Sequence, residues 1–141
     1  MPHPPPAGPL DSAYAERLAD ALRAGAAGLY SLEAACDLVI STGWLRRGDF
    51  TCFISTGTSL SDGVTEMAHI DWQAVITSRE TGLLPCSSSS ENRVLRLAAS
   101  IADGIPVDLN DALTGLDQNR ISLIVTAVRH ANGQRPDHTA F

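Results

Sequence analysis

The sequence contains no lysine, and all ten of its basic residues are arginine. A lysine amine is needed to form the internal Schiff base with pyridoxal phosphate, and a lysine also completes the Walker A loop that binds nucleotide phosphates. Both kinds of site are therefore excluded. Because alanine is abundant as well, the composition is typical of a GC-rich bacterial genome.

Cysteine is scarce: Cys36, Cys52 and Cys86 form an odd set without C-x-x-C spacing. This pattern excludes a disulfide scaffold and a zinc knuckle, which need paired cysteines. No apolar run is long enough to cross a membrane, and residues 1–6 lack the basic and apolar regions of a signal peptide. We therefore expect reduced thiols, no membrane contact and a cytoplasmic location.

Charge and aromatic residues are also sparse, at 18% and 5% of the chain, and the formal net charge is −6. This acidic balance disfavours a protein that coats nucleic acid, although a local basic patch is compatible with it. Apolar residues, at 44%, suffice for one modest core. The predicted organisation is a disordered proline-rich arm (1–10), one domain (11–133) and a flexible tail (134–141).

Apolar residues recur at helical spacing along most of the domain, and no segment alternates convincingly at period two. The first helix is predicted to begin at Asp11 or Ser12 and to end in the glycine-rich run 24–28. The second helix is predicted to have Ser31 as its N-cap and to end at Gly43.

The next stretch is predicted to be less regular. Asp49 caps a short third helix that carries Phe50, Phe53 and Ile54. Residues 55–63 have no periodicity and are predicted to form a mobile loop, followed by a weak helical turn over 64–69. Asp71 then caps the fourth helix.

The strongest helix signal lies further along, where Ser88-x-x-Glu91 matches a capping box that opens a helix over 89–102. One turn is predicted at 111–114, and Asp117 caps the last helix, whose buried stripe is Ile121, Ile124, Val125 and Val128. The predicted fold class is all-α, a single small domain built as an irregular or orthogonal bundle of five to six short helices.

The connector after the capping-box helix holds four aspartates and no arginine: Asp103, Asp108, Asp111 and Asp117. Aspartate favours helix caps and turns, so capping is the first interpretation. An acidic surface for an arginine-rich partner and a weak metal site are the alternatives. A complete calcium loop is excluded because Leu113 and Asn119 stand where it needs glycine and glutamate.

Metal and cofactor sites find no other support in the sequence. Glu66 and His69 form a single E-x-x-H pair, whereas di-iron bundles need two such pairs and two further glutamates. We therefore predict neither a metal nor a cofactor.

Cys86 lies just before a predicted helix N-terminus, where the helix dipole stabilises a thiolate. A thiol-dependent enzyme also needs a base, and no histidine lies near Cys86 in the sequence. Only the fold could bring His69 or His130 to it. Such an enzyme is the second alternative function.

Two local basic pairs, Arg46 with Arg47 and Arg93 with Arg96, suggest the first alternative, a DNA-binding regulator that uses the Arg46/Arg47 region. The second helix, the turn at Gly43 and the third helix have roughly the outline of a helix-turn-helix. However, Trp44 and two phenylalanines make the would-be recognition helix apolar, whereas a recognition helix needs polar side chains to contact the bases.

The leading hypothesis is a non-enzymatic protein that acts by contact with another protein, as a regulator, an adaptor or a self-associating subunit. The helices hold more apolar residues than one core needs, and five leucines off the main stripes are expected to form an exposed patch: Leu38, Leu45, Leu60, Leu83 and Leu84. The predicted interaction residues are Trp44, Arg46, Arg47, Leu83, Leu84, Arg93 and Arg96.

Overall fold

The computed structural model describes residues 12–80 and 89–134, and about two thirds of these are helical. The helices within these ranges are α1 (Ser12–Ala26), α2 (Tyr30–Ser41), α3 (Gly48–Thr51), α4 (Trp72–Glu80), α5 (Ser89–Asp103), α6 (Leu109–Leu113) and α7 (Gln118–Ala131). A 3₁₀ turn covers Trp44–Arg46, and the strands β1 (Ile54–Thr58) and β2 (Glu66–Ile70) form an antiparallel hairpin. The chain is thus mostly helical with one small sheet.

Several predictions fall outside the described residues: the arm 1–10, most of the tail 134–141, the cap Ser88, and the candidate residues Leu83, Leu84 and Cys86. Within the described ranges, no helix combines the length and the apolar content needed to cross a membrane.

Helix α2 lies at the centre of the packing and contacts α1, α5 and α7. This position follows from its sequence, because four of its residues, Ala34, Ala35, Leu38 and Val39, are almost completely buried. Small alanines let neighbouring helices approach closely, while the larger side chains fill the space between them. The largest fully buried side chains are Trp44, Phe50, Leu22, Leu95, Val39, Val75 and Val94.

Three aspartates cap helices as predicted. The Asp71 carboxylate accepts a hydrogen bond from the Ala74 amide at 3.1 Å, at the start of α4. Asp108 accepts from the amide of Asp111 at 3.3 Å and Asp117 from the amide of Arg120 at 2.8 Å, at the starts of α6 and α7. Each bond satisfies an amide that the first helical turn leaves without a partner.

Two other cap predictions are wrong. The N-cap of α2 is Leu29 rather than Ser31, and Leu29 makes no side-chain cap bond. Glu33 accepts a hydrogen bond at 2.9 Å from the amide of Gly28, which precedes the helix. Asp49 lies inside the first turn of α3 rather than before it. Its carboxylate accepts hydrogen bonds from the guanidinium of Arg47, which is the N-cap residue of α3.

The hairpin is the main departure from the all-α prediction. The loop predicted at 55–63 is wrong for 55–58, which belong to β1, whereas 59–63 lie in the turn between the strands. The helical turn predicted at 64–69 is wrong because 66–70 form β2, and the helical assignment of Ile54 is also wrong. These segments pair in register from Ile54 opposite Ile70 to Thr58 opposite Glu66. The hairpin is stabilised by packing on α1, against which β2 buries Ala68. A contact between segments this far apart in the chain cannot be recognised from the local sequence of a short strand.

The strand also separates the E-x-x-H pair. Side chains three residues apart point to opposite faces of a strand, whereas on a helix they share a face. Glu66 accordingly binds Arg17 of α1, with Oε1 2.9 Å from Nε, and this hydrogen bond lowers the pKa of the carboxyl. His69 lies on the other face and takes no part in that ion pair.

Candidate functional site

A groove of about 580 Å³ lies between α5, α6 and α7, and its lining is almost entirely apolar. The one charged residue in the lining is Arg129, and the one uncharged polar residue is Ser100. The other lining residues are Leu97, Ile101, Val107, Leu109, Leu113, Ile121, Ile124, Val125 and Val128.

Helix α7 forms one wall of the groove because it is apolar on two sides. Ile124 and Ala127 are buried in the core. Val125 and Val128, predicted as part of the same buried stripe, are 45% and 55% exposed. That part of the prediction is wrong, since α2 covers one side of α7 and nothing in the described ranges covers the other.

Helix α6 forms the opposite wall and is anchored at both its cap and its middle. Asp108 caps it, and Asp111 binds Arg96 of α5, with Oδ2 2.9 Å from Nη1. This anchoring holds Leu109 and Leu113 at the groove although both side chains remain largely exposed. Four exposed apolar side chains thus share one concave surface, which makes the groove a candidate contact site.

The sequence prediction missed most of this wall. Residues 107–116 alternate between polar and apolar types, and they were expected to form a connector rather than a surface. The available signal was α7 itself, which carries apolar residues on more sides than a helix packed on one neighbour requires.

Among the predicted interaction residues that the structure describes, Trp44 does not contribute to a surface. Trp44 is 1% exposed, so its ring offers no area to a partner. Arg47 stacks over that ring at 4.7 Å and binds the Asp49 carboxylate at 2.9 Å, while Arg46 is exposed.

The DNA-binding alternative depends on free arginines. Arg47 and Arg96 are already paired with carboxylates of the same chain, and the hydrogen bond to Asp49 raises the pKa of Arg47. Each arginine would have to exchange that carboxylate for a phosphate in order to bind DNA.

The expected leucine patch also differs from the surface that is present. Leu38 and Leu45 are buried, which contradicts their assignment to an exposed patch, whereas Leu60 is fully exposed at the tip of the hairpin. Among the described residues, exposed large apolar side chains lie at the groove, at the hairpin and at the start of α2, where Leu29 and Tyr30 are exposed.

The four aspartates serve mainly to hold the helices in place. Asp108 and Asp117 are caps, and Asp111 forms an ion pair. The hydrogen bond from the Arg120 amide lowers the pKa of Asp117. Asp103 is exposed and lies at a second, smaller cavity.

That second cavity, of about 260 Å³, lies beside α1 and β2 and includes Cys36, His69, Asp71 and Asp103 in its lining. Burial raises the pKa of the Cys36 thiol to about 12, so this cysteine stays protonated and is a poor nucleophile. In the part of the chain that the structure describes, no three histidine, cysteine or acidic side chains are placed to hold a metal ion.

His130, considered above as a possible base, has a structural role in the contact between α7 and α2. Its Nε2 atom lies 2.8 Å from Glu33 Oε1, and the side chain is buried between α7 and α2.

Comparison of the chain with known protein families, curated proteins and solved structures yields no match. The groove between α5, α6 and α7 is therefore the feature on which a functional proposal rests.

Proposed function

We propose that this chain is a non-enzymatic binding protein whose groove between α5, α6 and α7 receives apolar side chains of another polypeptide. It acts through this contact as a regulator, an adaptor or a self-associating subunit. The observation that carries the proposal is the groove lining, in which Leu109, Leu113, Val125 and Val128 are exposed together.

The physical reason is the gain from covering this surface. Removal of apolar surface from water is favourable by about 25 cal/mol per Å² before the entropy cost of association is subtracted. The centres of protein interfaces are apolar and poor in charge. The groove has that composition, with Arg129 as its one charged lining residue.

The chemistry of the lining favours a polypeptide over a small metabolite. Sites for small polar ligands combine an apolar pocket with several convergent polar groups that orient the ligand. Here only Ser100 and Arg129 offer side-chain polar atoms. Such a lining binds aliphatic or aromatic side chains and provides little to orient a polar molecule.

The proposal also includes a cytoplasmic location and the packing of the helices as an irregular bundle around α2. The location is supported by Cys36 and Cys52, which are free thiols. The packing is supported by the contacts of α2 with three other helices.

Site-specific photo-crosslinking in the native host tests the proposed function. The photoreactive residue p-benzoylphenylalanine replaces Val128 in the groove or, as a matched control, Thr126, which is exposed on the same helix and does not line the groove. We expect one discrete adduct from position 128 and none from position 126. Val125→Asp should lower the yield at least about tenfold, because it places a charge in the apolar contact.

Equal labelling from positions 126 and 128, or no adduct from position 128, would contradict the proposal. The mass of the adduct identifies the bound polypeptide, and an adduct of twice the chain's own mass indicates a second copy.

A further inference from the structure

The tip of the hairpin presents the most exposed apolar side chains of the described residues. Leu60 is 104% exposed and Val64 is 80% exposed, and both belong to the turn at 59–65 that joins β1 to β2. An apolar pair that projects from the surface costs solubility. Exposed apolar side chains that lie close together mark sites of contact with another protein.

The tip is held in one conformation by its own hydrogen bonds. The Ser59 amide donates to the Thr65 carbonyl at 2.8 Å, and the Gly63 amide donates to the Ser59 carbonyl at 2.8 Å. Asp62 accepts from the amides of Val64 and Thr65 at 2.9 Å and from the Thr65 hydroxyl. These bonds lower the pKa of Asp62 to about 2, so its carboxylate is charged at neutral pH.

The fixed conformation of the tip favours binding. A loop that is already fixed loses less conformational entropy when it docks, so more of the energy from burying Leu60 and Val64 goes into affinity. Gly63 contributes to the fixed geometry, because its φ of 67° lies in the left-handed region that favours glycine.

The groove matches this tip in apolar character and in charge. Its volume of about 580 Å³ lies within the range of sites that enclose a ligand, and its lining is apolar like the tip. The only charged residue of the turn is Asp62, and the only charged residue of the lining is Arg129. A docked tip therefore places opposite charges at the contact.

The tip and the groove belong to different parts of the fold. The hairpin packs on α1, whereas the groove is built from α5, α6, α7 and the connector, with no hairpin residue in its lining. Every copy of the chain thus carries one projecting apolar tip and one apolar groove.

We propose that Leu60 and Val64 of one copy insert into the groove between α5, α6 and α7 of a second copy, with Asp62 facing Arg129. This inference rests on the proposed function, because it names the polypeptide that enters the groove. The contact joins two different surfaces, so it gives head-to-tail assembly.

Sedimentation of the full-length chain over a concentration series tests the contact. The wild-type mass should rise above that of a monomer with concentration. Leu60→Asp removes the tip and Val125→Asp blocks the groove, and each variant should weaken association at least about tenfold. Leu29→Asp is the matched control, since Leu29 is an exposed leucine outside both surfaces, and it should sediment like the wild type.

The decisive measurement is an equimolar mixture of the Leu60→Asp and Val125→Asp chains. The first keeps an intact groove and the second an intact tip, so the mixture should form a one-to-one dimer that neither variant forms alone. Formation of this dimer also demonstrates that both variants are folded. Circular dichroism checks each variant, and Leu60→Ser or Val125→Ser replaces any variant that has lost helix.

A wild-type chain that stays monomeric at every concentration, or a mixture of folded variants that stays monomeric, would overturn the inference. This inference can fail while the proposed function stands. If the crosslink from position 128 captures a different polypeptide and Leu60→Asp leaves its yield unchanged, the groove is still a binding site but its occupant is not the hairpin tip.

Discussion

Gly25 lies where α1 meets β2, at a point with no room for a side chain. A Cβ atom there would clash with the Ala68 carbonyl oxygen and lie 3.0 Å from Cε1 of His69. Glycine is otherwise unfavourable in the body of a helix, by about 1 kcal/mol relative to alanine. Its presence in α1 therefore reflects the close approach of the hairpin.

Gly25→Ala is expected to destabilise the protein, although the same change in an unobstructed helix stabilises it. Because a backbone oxygen must move, we expect a loss of about 1–3 kcal/mol in the free energy of unfolding. Urea unfolding measures it. The control is Gly57→Ala in β1, where an added Cβ meets nothing within 4 Å and the change should stay within about 0.5 kcal/mol. Equal effects of the two substitutions would contradict the steric explanation.

The sequence placed Gly25 in the glycine-rich run at the end of the first helix but could not identify its neighbour. Helical spacing gives the direction of a residue relative to its own helix. Whether the residue faces a side chain or a backbone depends on a segment more than forty positions away, namely Ala68.

At the scale of elements, α2 and α7 are joined by a buried polar contact as well as by apolar packing. His130 Nε2 lies 2.8 Å from Glu33 Oε1, and the Asp37 carboxylate lies 3.7 Å from the other ring nitrogen. The Tyr30 ring lies beside the imidazole at 6.5 Å between centroids. The contact thus fixes the carboxyl end of α7 against the first turns of α2.

A double-mutant cycle with His130→Ala and Glu33→Ala should give a coupling energy of about 1–2 kcal/mol, because the pair is largely shielded from water. Chemical unfolding of the wild type, the two single variants and the double variant measures it. Arg17 with Glu66 is the exposed comparison, and its coupling should be weaker and should fall as salt is added. A coupling near zero for His130 and Glu33 would mean that the contact only fills space.

The hairpin illustrates what can be predicted for an element from local sequence. Helix caps such as Asp71 and Asp117 were predictable because each bond joins residues three apart in the chain. The strand ISTGT has mostly exposed residues and no apolar face, so its sequence does not distinguish a strand from a loop. The segment forms a strand because it pairs with β2, which in turn packs on α1.

At the scale of the whole molecule, one core joins the described helices. Leu95 of α5 is fully buried in the core cluster, and α5 packs on α2. Trp44 and Trp72 belong to the same cluster. Since these tryptophans lie before and after the hairpin, their fluorescence reports on two separate parts of the core.

Leu95→Ala should lower the free energy of unfolding by about 2–5 kcal/mol, because the truncated side chain leaves a cavity. Leu109→Ala, at the exposed groove, should cost less than about 1 kcal/mol. Urea titrations followed by tryptophan fluorescence and by circular dichroism should give coincident transitions for each variant. Two separated transitions would show that the helices do not form one cooperative unit.

The sequence by itself determined the helices that have strong local signals, the aspartates that cap three of them and the exclusion of lysine-dependent chemistry. Only the tertiary structure decided that 54–58 and 66–70 pair as strands, that Leu38 and Leu45 are buried, and that Val125 and Val128 remain exposed. The physical reason is the distance along the chain between the residues that interact. Caps and helical faces arise from residues a few positions apart, whereas burial depends on which distant element covers a surface, and the second apolar side of α7 has no such cover among the described residues.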